Sequence, residues 1–98
     1  MKTDLLEIKK TVNNQREDLR NTYNVADIGI FGSVARGENN EASDIDVLVR
    51  FVKPVGMFTF IKLENHLSQL FGKKVDLVTQ RALKPAMKDD VLAQTVYV

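Results

Sequence analysis

The stretch IFGSVARGENNEASDIDVLV, Ile30 to Val49, decides the fold. It joins a loop carrying Gly-Ser and Arg-Gly to two aspartates, one residue apart, at the head of an apolar run. In DIDVLVRF (Asp44 to Phe51), alternation puts Ile45, Val47, Val49 and Phe51 on one face of a strand. Asp44, Asp46, Leu48 and Arg50 fall on the other. Upstream, ADIGIF (Ala26 to Phe31) is short, β-branched and bounded by Gly32, so it reads as a second strand. SVARGENNEAS reads as a loop with one helical turn near its start. The solvated ENNEA segment has the length to bring the aspartates back to the Gly-Ser turn.

Working outward, Leu5, Ile8, Val12 and Leu19 recur at helical spacing and predict an amphipathic helix over about residues 3–22. From Met57 to Phe71, a stripe of Met57, Phe60, Ile61, Glu64, Leu67 and Phe71, widened by Leu63 and Leu70, predicts a second helix. Gly72 is its C-cap. KKVDLVT (Lys73 to Thr79) reads as a third strand. A last short helix starts near Pro85 and carries Met87, Val91 and Leu92. The closing strand–helix–strand step implies a crossover between neighbouring strands. The expected class is α/β (α+β): a small mixed sheet of about three strands with helices packed on it.

The chain has 98 residues, which predicts one domain over 1–98. With a formal net charge of +1, nothing argues for bulk nucleic-acid or membrane binding. The sequence has no cysteine, which removes disulfides and thiolate metal sites. MKTDLLEIKK lacks the apolar run of a signal peptide, and no stretch approaches the roughly 20 apolar residues of a membrane span. The expectation is a soluble cytoplasmic domain.

Asp44 and Asp46, at i and i+2, should have Cα atoms about 6.5–7 Å apart and side chains on one face. Two such carboxylates repel, and a hard cation between them removes the problem. Oxygen-only donors favour Mg²⁺ or Mn²⁺ over zinc. Taken alone, the pair reads first as two surface aspartates or a Ser-Asp turn. Its neighbours change that. GSVARG directly follows a strand: Gly32 permits a sharp turn and close approach to a ligand. Ser33 offers a hydroxyl and an N–H, and Arg36 a guanidinium fork suited to phosphate. Alone it would pass for a β-turn with a surface arginine; it is neither a Walker loop nor a nucleophile elbow. Asp76, between Val75 and Leu77, would complete a three-carboxylate cluster able to ligate metal and take a proton from a hydroxyl. The plainer alternative is an edge-strand aspartate facing water.

Gly32-Ser33-Val34-Ala35-Arg36-Gly37, then five residues, then Ser43-Asp44-Ile45-Asp46, then a third aspartate in a later strand, resembles the nucleotidyltransferase superfamily of DNA polymerase beta. At this size the chain looks like the minimal nucleotidyltransferases (MNT) that pair with HEPN-domain RNase toxins in toxin–antitoxin systems. The resemblance implies the polymerase-beta-like fold and an antitoxin that transfers AMP from ATP onto a toxin tyrosine. It implies nucleotide binding by Gly32, Ser33 and Arg36. It also implies two Mg²⁺ ions, with Mn²⁺ as a substitute, held by the catalytic Asp44, Asp46 and Asp76. A HEPN-type toxin as partner and a hetero-oligomer follow from the same resemblance.

Two other readings compete: a binding module that masks its partner stoichiometrically, and transfer to a small-molecule alcohol. Three carboxylates on neighbouring strands favour the enzyme, because a masking surface does not need them. With one domain expected over 1–98, no second domain is expected to hold a small acceptor. His66, the only histidine, is expected on the solvated face of the second long helix. Phe58, Phe60 and Phe71 are expected in the core. Arg81, Lys84 and Lys88 read as solvated.

Overall fold

The computed structural model describes residues 4–40 and 42–98. The order is α1 (Leu5–Tyr23), β1 (Val25–Phe31), α2 (Gly32–Arg36), β2 (Ile45–Phe51), α3 (Met57–Phe71), β3 (Val75–Thr79), a 3₁₀ turn (Gln80–Ala82), α4 (Pro85–Gln94) and β4 (Val96–Tyr97). The four strands form one sheet in the order β3-β2-β1-β4. β1 runs antiparallel to β2 and β4, while β2 and β3 are parallel and joined by the α3 crossover. This is the mixed sheet expected, with a fourth strand added. β4 is two residues long and follows α4 directly, too short to show alternation.

The apolar halves of the alternating strands build the core. Ile28, Ile30, Ile45, Val47, Val49, Val75 and Leu77 are buried against Ile8, Val12 and Leu19 of α1 and Leu63 and Leu67 of α3. Asp4 caps α1 by accepting from the Glu7 N–H at 2.9 Å, and Asn24 ends it in the left-handed region. Gly72 closes α3 in that same region. Residue 3, where the helix was expected to start, lies outside the described residues. Val98 is stitched to both layers: its N–H donates to Ile28 O at 3.0 Å and its carbonyl accepts from Arg16 at 2.7 Å.

The buried face of α3 is rotated from the expected stripe. Leu63 and Leu67 lie at its centre, whereas Met57 and Phe58 are each 73% exposed and Ile61 47% exposed. Phe58 is therefore not core; Lys62 lies over its ring at 4.6 Å. Glu64 keeps its place in the stripe for a different reason, given below. Met87 on α4 is also exposed, and Val91 alone of its expected apolar face is buried. His66 is not a solvated residue. Its ring stacks on Tyr23 at 5.3 Å, and its Nε2 is buried with no hydrogen-bond partner. α1 packs against α3 and covers a position that the α3 sequence by itself marks as polar.

Candidate active site

The face of the sheet opposite the core carries the charged residues. Asp46 pairs in register with Phe31 of β1 on one side and with Asp76 of β3 on the other. Asp44 sits just before β2, so two of the three aspartates lie on strands and the third on the loop leading in. That loop is organised. Asn40 Oδ1 accepts from the Ala42 N–H at 2.8 Å, the Asn40 N–H donates to Ser43 Oγ at 3.0 Å, and Lys73 donates to Asn40 O at 2.8 Å. Asn39 is buried, at 5% exposure, in a segment expected to be solvated.

Gly32 follows Phe31, the register partner of Asp46, so the chain turns directly over that carboxylate. Its φ of +71° suits glycine, and a Cβ there would collide with Oδ2 of Asp46. The turn opens the five-residue α2, which ends at Gly37 with the Gly37 N–H on Val34 O and the Glu38 N–H on Ser33 O at 2.9 Å. Arg36, at its end, is exposed. Its Nε donates to Glu38 at 2.9 Å and its Nη1 to Gln94 Oε1 at 3.0 Å. The same Gln94 oxygen accepts from the Gly32 N–H at 3.3 Å.

Asp76 is held from behind. β3 is an edge strand, and the amides on either side of Asp76 point away from β2. The Val75 N–H donates to Ser68 Oγ at 3.1 Å, and the Leu77 N–H donates to Glu64 Oε2 at 2.9 Å. Ser68 Oγ in turn donates to Glu64 O at 2.9 Å. Two side chains of α3 thus stand in for the missing neighbouring strand. Glu64 reached the apolar stripe because its carboxylate, like its hydrophobic neighbours, faces inward.

Burial holds the Asp46 carboxyl above the ordinary carboxylate range, and the nearby Asp76 and Asp44 charges push it further, with Arg36 pulling the other way. Asp44 leans on Lys74 at 3.9 Å, an exposed pair of little energetic weight. Among the described residues no group of three or more His, Cys, Asp or Glu side chains is closed round a point that could hold an ion. The cluster is thus a set of neighbouring carboxylates rather than a preassembled cage. Its chemistry nonetheless fits a hard divalent cation: oxygen donors only, and a repulsion that such a charge relieves.

One step along the same face, Leu48 follows Asp46. From there a cleft of about 580 Å³ extends between Arg50, Lys53, Arg81, Lys88 and Tyr97. Arg50 is paired with Asp27. Arg81 and Lys88, read from sequence as solvated, line this cleft; Lys84 does not. Sequence reasoning missed Glu64, Ser68 and Gln94 as parts of the site. Each acts through one side-chain oxygen on a backbone amide of a different element, and no local spacing marks that.

A mixed sheet that turns a Gly-Ser loop against an Asp-x-Asp strand, with a third aspartate in register on the parallel neighbour, defines a nucleotidyltransferase. The nucleotidyltransferase domain family matches residues 12–98, and the chain belongs to that family. It is 42% identical over 94 residues to the protein adenylyltransferase MntA of Thermococcus cleftensis, covering 96% of this chain and 95% of that one. A Methanocaldococcus jannaschii protein, provisionally named a protein adenylyltransferase, is 41% identical over 99 residues and 100% of each chain. Among solved structures, a toxin–antitoxin complex with AMP-PNP is similar with a TM-score of 0.70 at 26% identity, over 87% of this chain and 69% of that one. The MNT antitoxin complex with tri-AMPylated HEPN toxin of Shewanella oneidensis shares the fold, with a TM-score of 0.64 at 22% identity over 94% and 68%.

Proposed function

We propose that this protein transfers AMP from ATP, with Mg²⁺, onto a tyrosine hydroxyl of a HEPN-type RNase toxin, and so serves as the antitoxin of a cytoplasmic hetero-oligomer. The observation that carries the reading is the register pairing of Asp46 with Asp76, next to Asp44 and beneath the Gly32 turn. The name of the Thermococcus relative supports adenylyl transfer, and the AMP-PNP complex supports ATP as donor. The HEPN complexes among the similar folds support the partner. The apolar side chains of Met57, Phe58 and Ile61, exposed on α3, offer surface for one.

Asp44, Asp46 and Asp76 would hold the two Mg²⁺ ions, or Mn²⁺ in their place. When bound, such ions neutralise phosphate charge and polarise the attacking and leaving oxygens. The chain's own residues do the rest. The Gly32 N–H, Ser33 and Arg36 bind the outer phosphates and orient the α-phosphate towards the carboxylates. Asp76 accepts the hydroxyl proton. The acceptor oxygen bonds to the α-phosphorus as the bond to the bridging oxygen breaks, and pyrophosphate leaves past Arg36. The acceptor approaches along the cleft beyond Leu48.

The test is label transfer from ATP radiolabelled at the α-phosphate, with Mg²⁺ and a HEPN-type toxin or host lysate, resolved on a denaturing gel. A protein band labelled by wild type and absent with the Asp44→Asn, Asp46→Asn double variant is the expected result. A double variant that labels nothing yet neutralises its partner fully would overturn the enzymatic reading in favour of stoichiometric masking.

A further inference from the structure

We propose that Gln94 stands in the place of a nucleotide phosphate oxygen and is exchanged for it when nucleotide binds, a role that rests on the phosphate-binding reading of the Gly32 loop. One carboxamide oxygen accepts from two donors, the Gly32 N–H at 3.3 Å and Arg36 Nη1 at 3.0 Å. A backbone amide at a glycine turn and a guanidinium converging on a single oxygen is the donor set that a phosphate oxygen takes. Gln94 therefore keeps the amide and the guanidinium aimed at a common point.

The exchange is built to be easy. A neutral carboxamide oxygen is a weaker acceptor for a guanidinium than a phosphate. Gln94 is the last residue of α4, and its own amide nitrogen donates to Asp90 O at 3.2 Å, within the helix. Rotation of one side chain clears the point without moving the backbone, which continues through Thr95 into β4. Arg36 keeps its bond to Glu38 at 2.9 Å, so it does not lose its orientation when Gln94 leaves. Because Glu38 also holds Arg36, the competition of Gln94 with the ligand outweighs its positioning of the loop and sets the sign of its variants.

The test is calorimetric titration of the full chain with ATP and Mg²⁺. Gln94→Ala removes the competing oxygen and is expected to bind ATP about 3- to 10-fold more tightly. Gln94→Met, which keeps the length and loses the acceptor, is expected to shift in the same direction. Gln94→Glu places a carboxylate on Arg36 where phosphate must come, and is expected to bind at least about tenfold more weakly. A plain structural tie between α4 and the loop would weaken binding in all three variants. Unchanged or weaker binding by both the Ala and Met variants overturns the inference while leaving the nucleotide reading intact. Failure of the wild-type protein to bind ATP overturns both.

Discussion

Asp46 and Asp76 stand side by side in the parallel ladder of β2 and β3, each the register partner of the other. Like charges directly opposite each other on neighbouring strands destabilise a sheet. The free domain therefore tolerates a repelled carboxylate at the position proposed to hold the metal. Asp46→Asn should raise the melting temperature of the metal-free protein by a few degrees and abolish transfer. The folded-state pKa of Asp46 lies above its ordinary value, so the residue destabilises the fold while ionised. That burden is present above the folded-state pKa and fades as pH falls through it towards the unfolded value. The melting difference between variant and wild type should thus be largest near neutral pH and shrink as the solution is acidified. A difference that grows towards acid would mean that Asp46 is stabilised by its charge, not burdened by it.

Added Mg²⁺ should stabilise the wild-type fold, because binding to the folded state alone shifts the unfolding equilibrium. Asp46→Asn should lose most of that response. Melting curves with and without millimolar Mg²⁺ read this directly, without substrate. Equal shifts in both proteins would place any bound ion elsewhere.

Gly32 is needed for two separable reasons, a positive φ and the space taken by the Asp46 carboxylate. A non-glycine residue in the left-handed region costs about 1–2 kcal/mol, which lowers the melting temperature of a domain this size by roughly 5 to 15 °C. Gly32→Ala should show that loss and should also lose transfer, because the added methyl displaces Asp46. Gly32→Ala should cost less stability in an Asp46→Ala background than in wild type, because the colliding group is gone, and the double variant should recover none of the activity. An equal cost in both backgrounds would mean that the collision with Asp46 is not part of it.

Glu64 pins the Leu77 amide, the peptide just beyond Asp76, at 2.9 Å. Leaving that buried amide without a partner costs about 1–3 kcal/mol. Glu64→Ala should melt lower, exchange the Leu77 amide faster, and lower kcat with little change in KM for ATP. Glu64→Gln retains an acceptor oxygen and should restore most of all three. A Gln variant as impaired as the Ala variant would mean that the carboxylate charge matters, rather than its bond to β3.

The pattern that was legible in the sequence is the one that repeats locally. Alternation in the run after Asp44 and in the strand around Asp76 placed Asp46 and Asp76 on one face, because a strand reverses its side chains at every residue. Asp44 lies on the loop just before β2 rather than on the strand as expected. The spacing from Gly32 to Asp46 placed the loop beside them. The burial of α3 was read less well. Leu63 and Leu67 compete with Met57 and Ile61 for the inward direction, and only packing against α1 and the sheet decides between them. The supports of the site were not legible at all. Glu64 on Leu77, Ser68 on Val75 and Gln94 on Gly32 each join two different elements through one hydrogen bond, which the periodicity of neither element encodes. β4 escaped notice because two residues carry no periodicity.

The cleft beyond Leu48 separates the two substrates of the proposed reaction. Gly32, Arg36 and Gln94 lie on the β1–α2 side of Asp46, while Arg81 and Lys88 line the cleft that runs the other way along β2. Charge reversal in the cleft should therefore act on the acceptor and spare the donor. The double variant Arg81→Glu, Lys88→Glu should raise the acceptor KM by about tenfold or more, as expected for two charges at an interface, while ATP affinity stays within about twofold. The acceptor effect should weaken as salt is added, because both residues are at the surface and a Debye length is about 8–10 Å at moderate ionic strength. Steady-state labelling at varied acceptor, with calorimetry for ATP, distinguishes the cases. Loss of ATP affinity with acceptor KM unchanged would turn the cleft into part of the nucleotide site and send the acceptor to another edge of the sheet.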